Sequence, residues 1–184
     1  MEAFNMAVTD RHTELSYAMA REFLVRYEKE LLEKKVRFMG ENSALVYYGV
    51  YKESLPSELV NIKEVTDVEE FTRYTINDLE YVQPDITIFT TNSYLLNEQR
   101  TKTAGYPNLV VEIWSRSNHP RLRNMKIELY STSPVTEHWY IEQNSNAVER
   151  YFGKEKLIDL CLTKPLETKC GIVFDLTKLA WRDL

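Results

Sequence analysis

The sequence is poor in several features that would place a protein quickly. It has five glycines and six prolines in 184 residues, too few for a collagen-like or disordered chain. Its two cysteines, Cys161 and Cys170, lack zinc-site spacing and have no histidine near them. Two reduced thiols in C-terminal strands are therefore expected. No apolar run is long enough to cross a membrane. The opening "MEAFNMAVTD" has neither the basic nor the apolar region of a signal peptide, so a cytoplasmic protein without a membrane partner is expected. Basic charge is not in excess either: 23 Lys and Arg stand against 28 Asp and Glu, a net charge of −5. Proteins that coat nucleic acid are usually basic, so any basic surface here must be local. There is no G-x-S-x-G elbow, no H-E-x-x-H pair and no phosphate-binding glycine loop, which leaves a small-molecule hydrolase with little support.

What is present fits one domain spanning residues 1–184, since 43% of the chain is hydrophobic and 28% charged. Thr9 to Lys35 contains no Gly or Pro, and Leu15, Met19, Phe23, Tyr27 and Leu31 recur at spacing four. That predicts an amphipathic helix capped by Thr9 or Asp10, with His12 a polar residue at the rim of the core. Ser43 to Lys52 reads as a strand. The acidic segment Glu53 to Glu80 has no clean period; a strand near Leu59 to Ile62 and a short helix around Val68 to Tyr74 fit it loosely. Glu80 to Thr91 reads as a strand interrupted by Pro84, with Asp85, Thr87 and Phe89 on one face and Ile86 and Ile88 on the other. A connection follows, then a strand from Pro107 to Ser115. Ser117 to Ser133 reads as a helix capped by Ser117 or Asn118, with Pro120 in its first turn and Leu122, Met125 and Leu129 facing inward. Pro134 to Phe152 predicts a hairpin turning at Asn144 to Asn146. "KLIDLCL" and "GIVFDL" complete an antiparallel C-terminal group before a closing helical turn. The order of elements gives an α+β (mixed α/β) class.

Two acids break the apolar pattern. Glu112 sits inside "NLVVEIW", and Asp85 begins "DITIF". A lone carboxylate in a buried strand is costly unless something pairs with it. If the strands are neighbours, the two carboxylates converge and repel unless a cation lies between them. Oxygen donors and high negative charge select Mg²⁺ or Mn²⁺, and the Ile113 carbonyl could complete the shell. Lys126, on the helix that follows, could then stabilise charge developing at a phosphoryl group. Arg116, Arg121 and Arg123 precede it and could hold a phosphate backbone. Plainer readings stand beside these: Asp85 could begin a turn, Glu112 could pair with a buried Arg123, and Arg116 to Lys126 could be an ordinary exposed helix face.

"YVQPDITIF", "GYPNLVVEIWSRSN", "KIELY" and "EHWYIE" occur in this order. Together they resemble the signature of the Uma-type restriction endonuclease family, a branch of the PD-(D/E)XK nuclease-like superfamily, strongly over about Tyr81 to Phe152. The helix beginning "RHTELSYAMAREFL" resembles that family's early helix, with His12 in the place of its histidine. The resemblance implies a restriction-endonuclease-like core, a mixed β-sheet flanked by helices, with Asp85 and Glu112 as metal ligands. In the wider superfamily a lysine stands two residues after the glutamate; here that place is Trp114. The Uma-type branch keeps its lysine on the next helix, which matches Lys126, with Tyr130 as the aromatic residue four further on. Ser115 to Asn118, "SRSN", departs from the family's Ser-Pro-Ser run, and Glu142 stands where an aspartate is usual. The expected function is a divalent-metal-dependent endonuclease hydrolysing DNA phosphodiester bonds, and a homodimer would let two sites address two strands. The alternative is a catalytically degenerate protein of the same fold that acts as a binding or partner module, an idea prompted by the acidic segment and the negative net charge.

Overall fold

The computed structural model of the chain describes residues 2–33, 35–40, 44–46, 82–90, 94–96, 102–105, 107–115, 118–131, 133, 136–157 and 160–179. The expected strand at Leu59 to Ile62, the expected helix at Val68 to Tyr74, and residues Arg116 and Ser117 lie outside these. Among the described residues the helices are α1 (Glu2–Arg26), α2 (Glu28–Leu32) and α3 (Pro120–Tyr130). The strands are β1 (Arg37–Gly40), β2 (Ala44–Val46), β3 (Ile86–Phe89), β4 (Tyr94–Leu96), β5 (Lys102–Gly105), β6 (Leu109–Trp114), β7 (Glu137–Glu142), β8 (Ala147–Phe152), β9 (Glu155–Lys156), β10 (Leu160–Cys161), β11 (Leu166–Glu167) and β12 (Val173–Phe174).

Among the described residues the main sheet has seven strands, in the order β1-β3-β6-β7-β8-β10 with β9 paired to β8. β6 and β7 run parallel, and the other pairs are antiparallel. The sheet is therefore mixed. The parallel pair needs a crossover, and α3 lies in it. The expected hairpin is β7 and β8. Both faces are covered, which explains why β3 and β6 read as nearly continuous apolar runs: every residue of each is buried.

The period of two assigns the residues to faces. One face carries Ile86, Ile88, Leu109, Val111, Ile113, Trp139, Ile141 and Val148, which pack with Leu15, Met19 and Phe23 of α1 and with Phe174 of the β11–β12 hairpin. The Phe23 and Phe174 rings stack 6.1 Å apart. Glu137 and Arg150 are buried on this side too, joined at 2.5 and 2.8 Å. Glu137 also accepts from the Trp139 indole and from the Lys169 backbone N–H, both at 2.6 Å, so the pair is hydrogen-bonded on all sides as a buried ion pair must be. The other face carries Met39, Phe89, Val110, Trp114 and Tyr140, under Ile127, Leu129 and Tyr130 of α3.

Several expectations are corrected. α1 begins at Glu2, so Thr9 and Asp10 are interior residues and not caps. The helix breaks at Tyr27, whose hydroxyl accepts the Val173 backbone N–H at 2.7 Å, and resumes as α2. The connection after Thr91 contains two strands, β4 and β5, paired antiparallel, with β5 also parallel to β2. β1 was not anticipated; its four residues gain their partner only by pairing with β3, some fifty positions along the chain. Cys170 is an exposed free thiol in the turn after β11, not in a strand. The closing helical turn is the short 3-10 segment Thr177–Leu179.

Candidate active site

β3 and β6 pair antiparallel with Ile86 opposite Val111. Continuing that register by one position puts Asp85 opposite Glu112, on the same face of the sheet. One further step puts Pro84 opposite Ile113. Proline has no N–H and cannot continue the ladder, and the Asp85 side chain takes over: its Oδ2 accepts the Ile113 N–H at 2.5 Å. A strand residue presents its N–H and C=O to the same neighbour, so the Ile113 carbonyl opens toward Asp85, where Pro84 has nothing to donate to it. The Pro-Asp pair thus leads into a strand and turns a carboxylate toward the neighbouring strand's end. His12 reaches the same corner from α1, with Nε2 3.2 Å from Asp85 Oδ1. His12 is half-buried there, bonded to one of the acids.

Glu112 is 4% exposed and both its oxygens are engaged. Lys126 Nζ lies 2.6 Å from Oε2, and the Tyr130 hydroxyl donates to Oε1 at 2.5 Å. These two residues are four apart on α3 and share a face. The Lys126 ammonium also stands 5.8 Å from the centre of the Trp114 ring. The position two after the glutamate therefore carries an indole under the ammonium, and the cation comes from the helix. Glu112 is pushed above the usual carboxylate range, first by burial. Lys126 and Tyr130 oppose that shift, and the neighbouring Asp85 charge adds to it. Burial outweighs the ion pair, as it commonly does for a charge taken out of water.

The inward face of α3 is not the one expected. Leu122 and Met125 are 45% and 40% exposed, whereas Arg123, Lys126, Ile127 and Tyr130 turn toward the sheet. Arg123 pairs with Glu149 of β8 and lies 3.5 Å from Glu142 of β7, with its guanidinium 5.7 Å from the Tyr140 ring centre. The strip of sheet beneath α3 holds Glu112, Glu142 and Glu149, so a basic helix face meets it, and a purely apolar stripe is a poor guide. Arg123 is thus engaged inside the molecule, while Arg121 is exposed in the first turn. The cap of α3 is His119, whose Nδ1 accepts the Arg121 N–H at 3.1 Å. Asn118 instead accepts from the Ser115 N–H and hydroxyl.

A layer beyond Tyr130 escaped sequence reasoning. His138 is fully buried, 3.1 Å from the Tyr140 hydroxyl and stacked on Tyr151 at 5.1 Å. Burial lowers its pKa to about 4 and raises that of Tyr140. The one signal for it was the polar "EH" opening the otherwise apolar "EHWYIE".

Among the described residues no group of three or more His, Cys, Asp and Glu side chains is gathered for a metal. Two carboxylates and a backbone carbonyl nevertheless suit Mg²⁺ or Mn²⁺. Such ions are commonly held by one or two carboxylates, with water and substrate phosphate filling the remaining positions. The donor chemistry of Asp85, Glu112 and Ile113 fits a hard divalent cation.

A family model described as Uma2, "Putative restriction endonuclease", matches residues 56–166, more than half of the chain. The chain belongs to this family. The Uma2 match covers Asp85, Glu112, Lys126 and Tyr130 and leaves out His12. Among solved structures, the chain is similar to "a putative nuclease belonging to DUF820 from Anabaena variabilis ATCC 29413", with a TM-score of 0.57 and 10% identity over 93% of this chain and 80% of the other. At that identity the likeness shows the fold, which is the mixed sheet flanked by helices. No curated protein matches the sequence.

Proposed function

We propose that this Uma2-family chain is a divalent-metal-dependent endonuclease that hydrolyses DNA phosphodiester bonds. The observation that carries the reading is the Lys126 ammonium, delivered from α3 to within 2.6 Å of Glu112 at the strand end where Asp85 also converges. Family membership supports a nuclease. Asp85, Glu112 and the Ile113 carbonyl would hold the metal. When bound, Mg²⁺ or Mn²⁺ supplies a Lewis acid for a phosphoryl oxygen and lowers the pKa of water.

The chain's own residues do the rest. Tyr130 and Lys126 fix the two oxygens of Glu112, and His12 and the Ile113 N–H fix those of Asp85. The carboxylates are therefore preorganised before substrate arrives. Lys126 is the cation that can leave Glu112 for a phosphoryl oxygen as negative charge develops there, and α3 and the Trp114 ring set its approach. Arg116 and Arg121 would contact the DNA backbone. Arg123 holds α3 to β7 and β8, so its part is to position Lys126.

A degenerate binding module has one observation in its favour: every described oxygen of the acid pair already has a protein partner. Incubation of supercoiled plasmid with Mg²⁺ or Mn²⁺ separates the two. Wild type should nick it, and Asp85→Asn and Glu112→Gln should each reduce nicking by at least about 10²-fold. A wild type no more active than these variants rejects the nuclease.

A further inference from the structure

α1 and α2 carry a second apolar surface that is exposed among the described residues. Leu15, Met19 and Phe23 face the sheet, yet Tyr17 is 68% exposed, Leu24 50%, Val25 72% and Leu32 77%. These four are not scattered. Tyr17, Arg21 and Val25 line one groove with Glu22 and Leu176, and Leu24, Val25, Glu28 and Leu32 line a second of about 500 Å³. Val25 borders both, so the surface is continuous. A helix that is apolar on the side away from its own core marks an interaction surface.

The charges on this surface identify the partner. Several neighbouring ionic side chains are matched within the chain, Glu22 with Arg26, Lys29 with Glu33, and Arg11 with Glu14, while Lys178, at the edge of the first groove, has no ion-pair partner among the described residues. Arg21 and Glu28, which lie among the exposed apolar residues, have no ion-pair partner among the described residues. They are of opposite sign. The pairs Tyr17 and Leu32, Arg21 and Glu28, and Leu24 and Val25 all share one midpoint along the chain. Across the break at Tyr27 the helical bonds Tyr27 N–H to Phe23 O and Leu31 N–H to Tyr27 O persist, both at 2.9 Å, so helical spacing carries from α1 into α2, and an antiparallel copy of the same surface would set Tyr17 against Leu32, Arg21 against Glu28 and Leu24 against Val25, each twice. A closed two-fold interface requires that self-complementarity; a different partner would not.

We infer that this face of α1 and α2 is the contact between two copies of the chain, packed antiparallel about Leu24 and Val25, with Arg21 of each copy opposite Glu28 of the other. The interface lies on the side of α1 turned from the sheet and does not depend on the nuclease reading. The patch is modest, so a dissociation constant in the range of about 1–100 μM is expected.

Sedimentation velocity of the full chain from about 1 to 200 μM tests this. Wild type should pass from monomer to dimer across the range. Val25→Glu should raise the dissociation constant by at least about tenfold. Arg21→Glu and Glu28→Arg should each weaken the dimer several-fold by setting like charges together, and the double swap should restore it. All these positions are exposed, so circular dichroism should stay unchanged and exclude misfolding. A wild type that remains monomeric at about 200 μM overturns the inference, and so does a dimer insensitive to the charge swaps.

Discussion

At the residue scale, the fold retains polar groups where burial alone would remove them; the Gln143 side chain is buried without a hydrogen-bond partner among the described residues, but three others are held. Glu112 is held by Lys126 and Tyr130, Glu137 by Arg150 and Trp139, and His138 by Tyr140. His138 yields a pH prediction. Its pKa is about 4 in the fold against the usual 6.5, so between these values the unfolded chain binds the proton and the folded chain does not. Stability is then fully present above about pH 6.5 and falls as pH drops toward 4. Denaturant titrations at pH 7 and pH 4 should show wild type losing roughly 2–3 kcal/mol more than His138→Gln over that interval; equal losses would exclude this role. Asp85 and Glu112 could be read from the sequence because each interrupts an apolar strand, and a single charge is conspicuous there. His138 could not, because one histidine beside a glutamate looks like an ordinary strand end.

At the element scale, α3 is where sequence patterning misled. Hydrophobicity selects Leu122, Met125 and Leu129 as the buried stripe, but Leu122 and Met125 face water and Arg123, Lys126 and Tyr130 face the sheet. The reason is electrostatic: β6, β7 and β8 present Glu112, Glu142 and Glu149 to this helix, and the pairing of charges sets its rotation. Leu122→Lys and Met125→Lys should therefore change stability by no more than about 0.5 kcal/mol. Ile127→Ala, a position packed against the sheet, should cost about 1–3 kcal/mol. Chemical denaturation checks both, and a large loss at Leu122 would restore the apolar-stripe reading. α1 was legible because its core face is uniformly apolar at spacing four. β1, β4 and β5 were not, because short strands are defined by distant partners more than by their own composition.

At the scale of the whole molecule, the mixed sheet gathers polar side chains from four elements at one corner. Pro84 and Asp85 lead into β3, β6 carries Glu112 one strand away, α1 sends His12 from one side and α3 sends Lys126 from the other. The parallel β6–β7 pair makes this possible, since its crossover carries α3 over the face where Glu112 points. The chain thereby assembles acid, acid and lysine without a lysine on the strand, where Trp114 supports the ammonium instead. The most direct test of that account is the rate of plasmid nicking by Lys126→Met in saturating Mn²⁺. The account predicts a fall of at least about 10²-fold, with plasmid binding changed by less than about threefold, because the proposed backbone contacts of Arg116 and Arg121 would be untouched. Lys126→Met nicking at the wild-type rate would contradict it.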